Sequence, residues 1–266
     1  GAFYAFWYFR ADPALSARAL EFLAEQAIEA GNREVRAAAV FPLSYFGAGS
    51  NAAFERVLRA SQDDDVCERA MGHALAHMLT RADEQALELV LKYASANAIE
   101  RGEQRFKAFD PDLARPHFLA RLKQAKASVG WILVLLAELA ADPGEDLVEI
   151  LRNLLRHRSS VVQLAAIRAL VARGEAAQAR AQLERMRLAS EPHVKVEVVR
   201  ILTRLAAGAP AWTEKLHALA GASPAYDRIA AAYAYGDLCD ANALTRLAAL
   251  FDDRSWKVRD AAFAVA

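Results

Sequence analysis

Val162–Leu170 reads VQLAAIRAL, Val194–Leu202 reads VKVEVVRIL, and Val258–Phe263 reads VRDAAF. The three stretches share one frame: a valine, then a polar residue, with mainly apolar residues three, four, seven and eight positions after the start. The frame returns at multiples of 32 residues. A fixed period of this length is the sequence pattern of stacked repeat units. The chain is therefore predicted to be a repeat protein.

The frame also predicts the type of secondary structure. Its apolar spacing places the buried side chains on one face of an α-helix, which we call helix A. Further copies begin at Val35 and Cys67, and a weaker one begins at Tyr226. The second position is polar in all of these copies: Arg36, Glu68, Gln163, Lys195, Asp227 and Arg259.

A second amphipathic segment, helix B, lies between successive A helices. The clearest cases are Asp146–Arg156, Glu175–Leu188, Trp212–Leu219 and Ala243–Phe251. Glycine, proline and paired aspartates separate the segments and end or begin helices. The pattern predicts an all-α fold, an α-solenoid (superhelix) of about eight antiparallel helix pairs.

The frame resembles a HEAT repeat: a valine, a polar residue that is often basic, paired alanines, a leucine eight positions on, and a preceding acidic turn such as Asp252-Asp253. The short period is most similar to bacterial HEAT-like repeats of the phycobilin-lyase type. The resemblance begins near Gly31 and implies a single HEAT-like solenoid over residues 1–266, which we expect to be a fragment of a longer array. It leaves function open, because the family includes scaffolds, regulatory subunits and a few enzymes.

Residues 96–126 depart from the frame, because they lack the paired alanines and carry Pro111 and Pro116. Basic residues alternate here with Phe106, Phe109 and Phe118. Two interpretations stand: a surface that stacks and pairs with nucleic acid or an acidic peptide, or an irregular repeat whose aromatic residues pack a bend. The next segment, Val129–Leu139, is apolar on all sides, which predicts that both of its faces are covered.

The charge is balanced overall, with 33 basic and 33 acidic residues, but it is unevenly distributed. Residues 152–204 carry 11 basic and four acidic side chains, whereas residues 1–100 carry nine basic and 14 acidic ones. A forked guanidinium suits phosphates and carboxylates, so the basic segment predicts a binding surface lined by B helices. The alternative is a set of ordinary solvated arginines, since arginine is a good helix former. The candidate partner-binding residues are Arg152, Arg156, Arg180, Arg185 and Arg187, with Arg115 and Arg121 from the irregular stretch.

Two further features concern side chains whose partners the sequence does not name. Glu197 occupies a buried-face position of its A helix, and we expect a basic neighbour to pair with it, because an unpaired buried carboxylate is costly. Phe3–Phe9 is rich in aromatic residues and is read either as a binding patch or as the remnant of an A helix.

The sequence contains few residues in the arrangements that catalytic or metal sites require. His73 and His77 are four residues apart but fall on the polar face of the frame, and no third ligand follows at metal spacing. The HEAT-like metal hydroxylases use His-Glu pairs, and this sequence contains none. Phosphate loops, nucleophile elbows and paired carboxylates are missing too. We therefore expect no catalytic residue, no metal and no cofactor, and thus no enzyme.

The leading hypothesis is a non-catalytic protein-protein interaction scaffold that binds a protein partner on the concave face of the solenoid. The first alternative is a nucleic-acid-binding module that uses residues 152–204, and a DNA-glycosylase-like enzyme is one form of it. The second alternative is a phycobilin-lyase-like protein that handles a chromophore. Cys67 and Cys239 form no disulfide or zinc pattern, so we expect a cytoplasmic protein. We expect no membrane span in this segment and no small-molecule ligand.

Overall fold

The computed structural model describes residues 12–60, 74, 77–78, 83–93, 106, 109–124, 128–189, 191–206 and 208–266. Every regular element within these ranges is a helix. The chain divides into two compact units, Gly1–Ala141 and Asp142–Ala266. Each unit is described on its own below, and one continuous solenoid with a fixed repeat count and period stays a prediction. None of the described helices combines the length and the apolar character needed to cross a bilayer.

Unit 1 contains six described α-helices. They are α1 (Pro13–Glu29), α2 (Arg33–Leu43), α3 (Asn51–Ala60), α4 (Glu84–Tyr93), α5 (Pro111–Lys123) and α6 (Val129–Glu138), with a 3-10 helix at Ser44–Ser50. Helix α1 begins where the carboxylate of Asp12 accepts hydrogen bonds from the amides of Ala14 and Leu15. This N-cap satisfies amides that have no partner inside the helix.

In unit 1, α1 packs on α3, α3 packs on α4, and α4 packs on α5. Polar bridges join them: Arg56 of α3 lies 2.9 Å from Glu21 of α1, and His117 Nε2 lies 2.9 Å from Glu84 of α4. Helix α5 falls within the stretch predicted to be irregular. Its Pro111 stands in the first turn, where a missing amide costs nothing.

Unit 2 contains eight described α-helices. They are α7 (Glu145–Leu154), α8 (Ser160–Ala172), α9 (Ala176–Ala189), α10 (Pro192–Leu205), α11 (Pro210–Ala220), α12 (Ala225–Leu238), α13 (Ala241–Ala249) and α14 (Trp256–Val265), with a 3-10 helix at Leu250–Asp252. Helices α7, α9, α11 and α13 cover the four predicted B segments within a few residues. Helices α8, α10, α12 and α14 carry the A frames.

The A helices of unit 2 stack directly on one another, α8 on α10, α10 on α12 and α12 on α14. The first three also pack against the B helix that precedes them, and α14 packs against the 3-10 helix at Leu250–Asp252. The frame residues form the core of this stack. Val162, Ala166 and Leu170 of α8 are fully buried, and so are Val258 and Ala262 of α14. Small side chains at these positions let neighbouring helices approach closely.

The weaker frame at Tyr226 starts one residue too early. Tyr226 is 43% exposed, whereas the residues three, four, seven and eight positions after Asp227 are all buried. Arg228 rather than Asp227 therefore occupies the second position of α12. Its Nη1 donates to the carbonyl oxygen of Ala222, six residues back. In the same way, Nη1 of Arg259 in α14 donates to the carbonyl oxygen of Asp253, also six residues back.

Each connection from an A helix to its B helix in unit 2 passes through the left-handed region of backbone conformation. The residues there are Gly174, with φ 81°, Gly208, with φ 80°, and Cys239, with φ 51°. A residue with a Cβ atom is strained in this region, and glycine is not. The third connection therefore bears a strain that the first two avoid.

Two substitutions at these connections should change stability in opposite directions. We expect Cys239→Gly to raise the free energy of unfolding and Gly174→Ala to lower it, each by about 1 kcal/mol. No atom lies within 4 Å of a Cβ added at Gly174, so its effect comes from the backbone alone. Urea unfolding followed by circular dichroism measures both values, and changes of the same sign would contradict this account.

Helices α12 and α14 approach each other closely at Gly236. A Cβ atom at Gly236 would lie 2.7 Å from Cβ of Val265, closer than real Cβ atoms approach other atoms. Glycine at this point lets the two helices touch along their backbones. Any larger side chain must push α14 away from the stack.

We expect Gly236→Ala to lower the free energy of unfolding by about 1–3 kcal/mol, because the added methyl group overpacks the crossing. Gly221→Ala is the matched control, since the nearest atoms to its added Cβ lie at 3.9 Å. Urea unfolding of both variants makes the comparison. Equal stabilities for the two variants would show that α14 does not depend on this contact.

Candidate binding surfaces

The five candidate arginines of unit 2 lie in different settings. Arg152 is half-exposed on α7, and its Nη2 lies 3.1 Å from Oε2 of Glu175. Arg156 lies in the turn two residues after the end of α7, at the end of the predicted B segment. Arg180 and Arg185 are exposed on α9, and the side chain of Arg187 is outside the described part of the chain.

The two candidate arginines of unit 1 both lie on α5. Arg115 is partly buried. Arg121 donates from Nη1 to Gln124 at 2.5 Å, and its guanidinium carbon lies 5.9 Å from the ring centre of Trp131. Burial lowers the pKa of Arg121. Helix α5 belongs to unit 1, whereas the other five candidates belong to unit 2.

The aromatic residues near α5 belong to the core. Phe106, Phe109 and Phe118 are buried, and the ring centres of Phe106 and Phe118 lie 4.8 Å apart. Trp131 of α6 is buried beside them. The hypothesis that these phenylalanines stack on bases is therefore wrong, and they pack the unit as the second interpretation predicted.

A chain of ion pairs, which we call the charge ladder, runs across three A helices. Arg168 of α8 pairs with Glu197 of α10, and Arg200 Nη1 lies 3.2 Å from the same carboxylate. Arg200 also donates from Nε and Nη2 to both oxygens of Asp237 in α12, at 2.8 and 3.0 Å. Arg204 Nη2 adds a contact of 2.9 Å to Asp237.

The charge ladder confirms that Glu197 has basic partners, one on the adjacent A helix and one on its own. The hydrogen bonds from Arg200, then those from Arg204, hold the pKa of Asp237 below its usual range, and Asp237 in turn raises the pKa of Arg200. Three cations of the basic segment are thereby committed to internal carboxylates. Asp237 lies outside residues 152–204 and therefore offsets one positive charge of that segment, while the side chains of Arg168 and Arg204 are 56% and 61% exposed.

A second kind of ion pair joins the beginnings of successive A helices. Lys195, at the second position of α10, pairs with Asp227 in the first turn of α12. Arg228, at the second position of α12, donates from Nε and Nη2 to both oxygens of Asp253, just before α14, at 2.7 and 2.9 Å. Arg228 is almost completely buried, and its hydrogen bonds lower the pKa of Asp253.

A pocket of about 330 Å³ lies beside the beginning of α8. It is lined by Arg158, Ser160, Gln163, Gln182, Arg185, Met186 and Glu191. The two arginines provide positive charge and Glu191 partly offsets it. Nε2 of Gln182 donates to Oε1 of Gln163 at 2.9 Å, and Nε2 of Gln163 donates to the carbonyl oxygen of His157.

The outer face of α14 is the most apolar exposed surface among the described residues of unit 2. Trp256 and Phe263 are each 64% exposed, and seven residues of helix separate them by two turns, so they lie on the same side. Phe263 stacks on Phe251, with ring centres 4.5 Å apart. Sequence reasoning missed this face.

The frame shows how unusual this exposure is. Phe263 stands five positions after the frame start, and the equivalent Ile167, Val199 and Ala232 are fully buried. Aligning these positions in the sequence would have shown that Phe263 occupies a buried-face position, but only the structure shows that this side chain is mostly exposed.

The predicted histidine pair is only half described. His77 packs against aromatic rings, 4.2 Å from Tyr45 and 6.2 Å from Phe41 between ring centres, and His73 lies outside the described residues. Within the described ranges, no three histidine, cysteine or acidic residues are grouped so that they could hold a metal ion. The aromatic stretch Phe3–Phe9 also lies outside those ranges.

Comparison with known proteins yields remote structural likenesses. No family model and no curated protein sequence matches the chain. Human deoxyhypusine hydroxylase in complex with glycerol is similar at 18% identity, with 93% of this chain and 94% of that chain covered and a TM-score of 0.33. An engineered protein is similar at 18% identity, with 92% and 94% covered and a TM-score of 0.25.

Likeness at these TM-scores carries no argument about function. The described helices are in themselves consistent with a HEAT-like repeat. What the chain does must be inferred from its own surfaces.

The charge ladder should make stability depend on acid in a defined way. The folded pKa of Asp237 is lowered, so its ion pairs stabilise the fold fully above the usual aspartate range, and this contribution disappears as the pH falls through the folded pKa. We expect Asp237→Asn to cost about 1–3 kcal/mol at pH 7 and almost nothing once the wild-type carboxylate is protonated. Urea unfolding over this pH range measures the difference, with Asp260→Asn, at an exposed position, as control. A cost that is independent of pH would contradict the ladder.

Proposed function

We propose that the chain is a non-catalytic protein-protein interaction scaffold with HEAT-like repeats, and that the outer face of α14 is a contact surface for its protein partner. The observation that carries this proposal is the contrast within unit 2. Its A-helix cations are largely paired with carboxylates of neighbouring helices, while Trp256 and Phe263 remain exposed.

Large aromatic side chains supply much of the binding energy of protein interfaces when a partner buries them. Exposed apolar patches rimmed by polar residues commonly mark interaction sites. Lys257, Arg259 and Asp260 lie among them on α14, so the surface has an apolar centre and a charged surround. This composition is typical of a protein interface.

The nucleic-acid alternative requires the arginines of residues 152–204 to act together on one surface. Arg168, Arg200 and Arg204 belong to the charge ladder, and Arg152 pairs with Glu175. A nucleic-acid backbone must be neutralised by several unpaired cations. The paired arginines therefore favour a protein partner.

The exposed residues Arg156, Arg158, Arg180 and Arg185 sustain nucleic-acid binding as the second candidate function, since two of them line the pocket beside α8. The chromophore-handling hypothesis has no described residue in its favour.

Affinity capture from the native lysate, with and without nuclease, tests the proposal. We expect the chain to retain a protein partner after nuclease treatment, and the double variant Trp256→Ala/Phe263→Ala to lose it, because the variant removes the two aromatic anchors. The helicity of the variant should match the wild type by circular dichroism, since both side chains are mostly exposed.

Leu244→Ala is the matched control, because Leu244 is also exposed, at 47%, but lies on α13. It should retain the partner. Recovery of nucleic acid, with every captured protein lost after nuclease, would instead support the arginine surface. Retention of the partner by the double variant would show that α14 is not the contact surface.

A further inference from the structure

We propose that the pocket beside α8 binds a phosphorylated serine or threonine of a protein partner, and that Arg158 and Arg185 hold the phosphate. This inference rests on the proposed function, because it takes the ligand from a protein. It concerns a different surface, since none of the residues that line the pocket lies on α14. The donors and acceptors around the pocket carry it.

The pocket is built from successive elements of unit 2. Its lining comes from the turn before α8, the beginning of α8, one side of α9 and the residue that precedes α10. On α9, Gln182, Arg185 and Met186 are spaced by three and four residues, which places them on the same side of the helix. The cavity of about 330 Å³ therefore depends on the packing of the unit and not on a single loop.

The pocket contains two arginines that no described carboxylate neutralises. Arg158 and Arg185 are both exposed, and neither forms an ion pair within the described part of the chain. Arg185 uses only Nε internally, toward the carbonyl oxygen of Ala181 at 3.4 Å. In the charge ladder, by contrast, every cation has a carboxylate partner. The two guanidinium groups of the pocket are therefore available to an anion.

The beginning of α8 adds further donors. Ser159, its N-cap, makes no side-chain hydrogen bond to the helix, and the first turn contains no acidic residue. The amide ends of a helix carry partial positive charge and favour a bound anion. Ser160 lines the pocket, and its hydroxyl group has no partner among the described residues. Helix α8 thus supports the anion that the two arginines attract.

Two glutamines give the pocket one acceptor of fixed identity. The carbonyl oxygen of His157 can only accept, so it takes the Nε2 amide of Gln163. Oε1 of Gln163 then accepts from Nε2 of Gln182 at 2.9 Å. Oε1 of Gln182 is left without a donor among the described residues, although only 9% of this residue is exposed. Because an unpaired buried acceptor is costly, a ligand that brings a donor as well as an anion is favoured.

A phosphorylated residue within a peptide supplies both groups. Its phosphate has three terminal oxygens, which suit two forked guanidinium groups and the amide end of α8 better than the two oxygens of a carboxylate. The main chain beside it carries N–H groups that can donate to Gln182. A nucleic acid fits less well, because each phosphodiester has only two free oxygens and the neighbouring phosphates would repel Glu191 at the pocket.

Fluorescence anisotropy with the intact chain tests the proposal. The probe is a pool of short labelled peptides with a central phosphoserine and randomised flanks, and the same pool with an unmodified serine is the reference. We expect the phosphorylated pool to bind about tenfold more tightly, because its phosphate accepts charge-assisted hydrogen bonds from both arginines. Arg158→Gln and Arg185→Gln should each weaken this binding about fivefold, as for exposed ion pairs.

Arg180→Gln is the matched control, because Arg180 is also exposed on α9 but does not line the pocket. It should leave the binding of the phosphorylated pool unchanged. All three variants should keep the helicity of the wild type by circular dichroism, since the three arginines are exposed. Inorganic phosphate should compete about fivefold less well than the phosphorylated pool, because it brings no main-chain donor for Gln182.

Several results would overturn the proposal. Equal binding of the two pools, or an equal loss in Arg180→Gln, would show that the pocket does not recognise the phosphate. A pool with a central glutamate that binds as tightly would make the ligand a carboxylate. Tighter binding of a single-stranded oligothymidylate, lost in Arg158→Gln and Arg185→Gln, would make the pocket a nucleic-acid site. Inorganic phosphate that competes equally would leave a site for free phosphate.

The peptide experiment fails separately from the capture experiment. Trp256→Ala/Phe263→Ala should bind the phosphorylated pool like the wild type, because neither residue lines the pocket. If this double variant loses the captured partner but the two pools bind equally, the contact surface on α14 stands and the phosphate pocket is wrong. If the pools differ as expected but the double variant retains the partner, the phosphate pocket stands and the proposed contact on α14 is wrong.

Discussion

Each A helix of unit 2 carries apolar side chains that it cannot bury by itself. The frame gives α8, α10, α12 and α14 an apolar face wider than one neighbouring B helix can cover, so the helices stack on one another. Most other features of the unit follow from this need. The small residues of the frame let the backbones approach, and Gly236 permits the close contact between α12 and α14.

Apolar stacking alone would leave the register of the helices poorly determined, because a hydrophobic contact has little direction. The ion pairs supply direction. The charge ladder joins the middle and end of α8, α10 and α12, whereas Lys195 and Arg228 join helix beginnings. Buried charges stabilise little when desolvation is considered, but an incorrect register would leave them unpaired, and that would be costly.

The sequence predicted most of this arrangement because helical spacing is a local property. It located the B helices of unit 2 and identified Glu197 as a charge that needed a partner. It misplaced the frame of α12 by one residue, because Tyr226 and Ile229 imitate the apolar spacing. It could not identify Asp237, which lies outside the frame and meets Arg200 from 37 residues away.

Exposure was the property that the sequence could least predict. A phenylalanine at a frame position reads as core, and in unit 1 the phenylalanines suspected of being a surface, such as Phe106, are indeed core. Phe263 reverses this expectation because burial in a stack depends on the next helix, not on the residue itself. The same dependence applies to Arg228, whose carboxylate partner, Asp253, lies just before the next A helix. In a stacked array, the exposure of a frame residue is therefore set by the neighbouring helix, and the sequence of the residue's own helix cannot predict it.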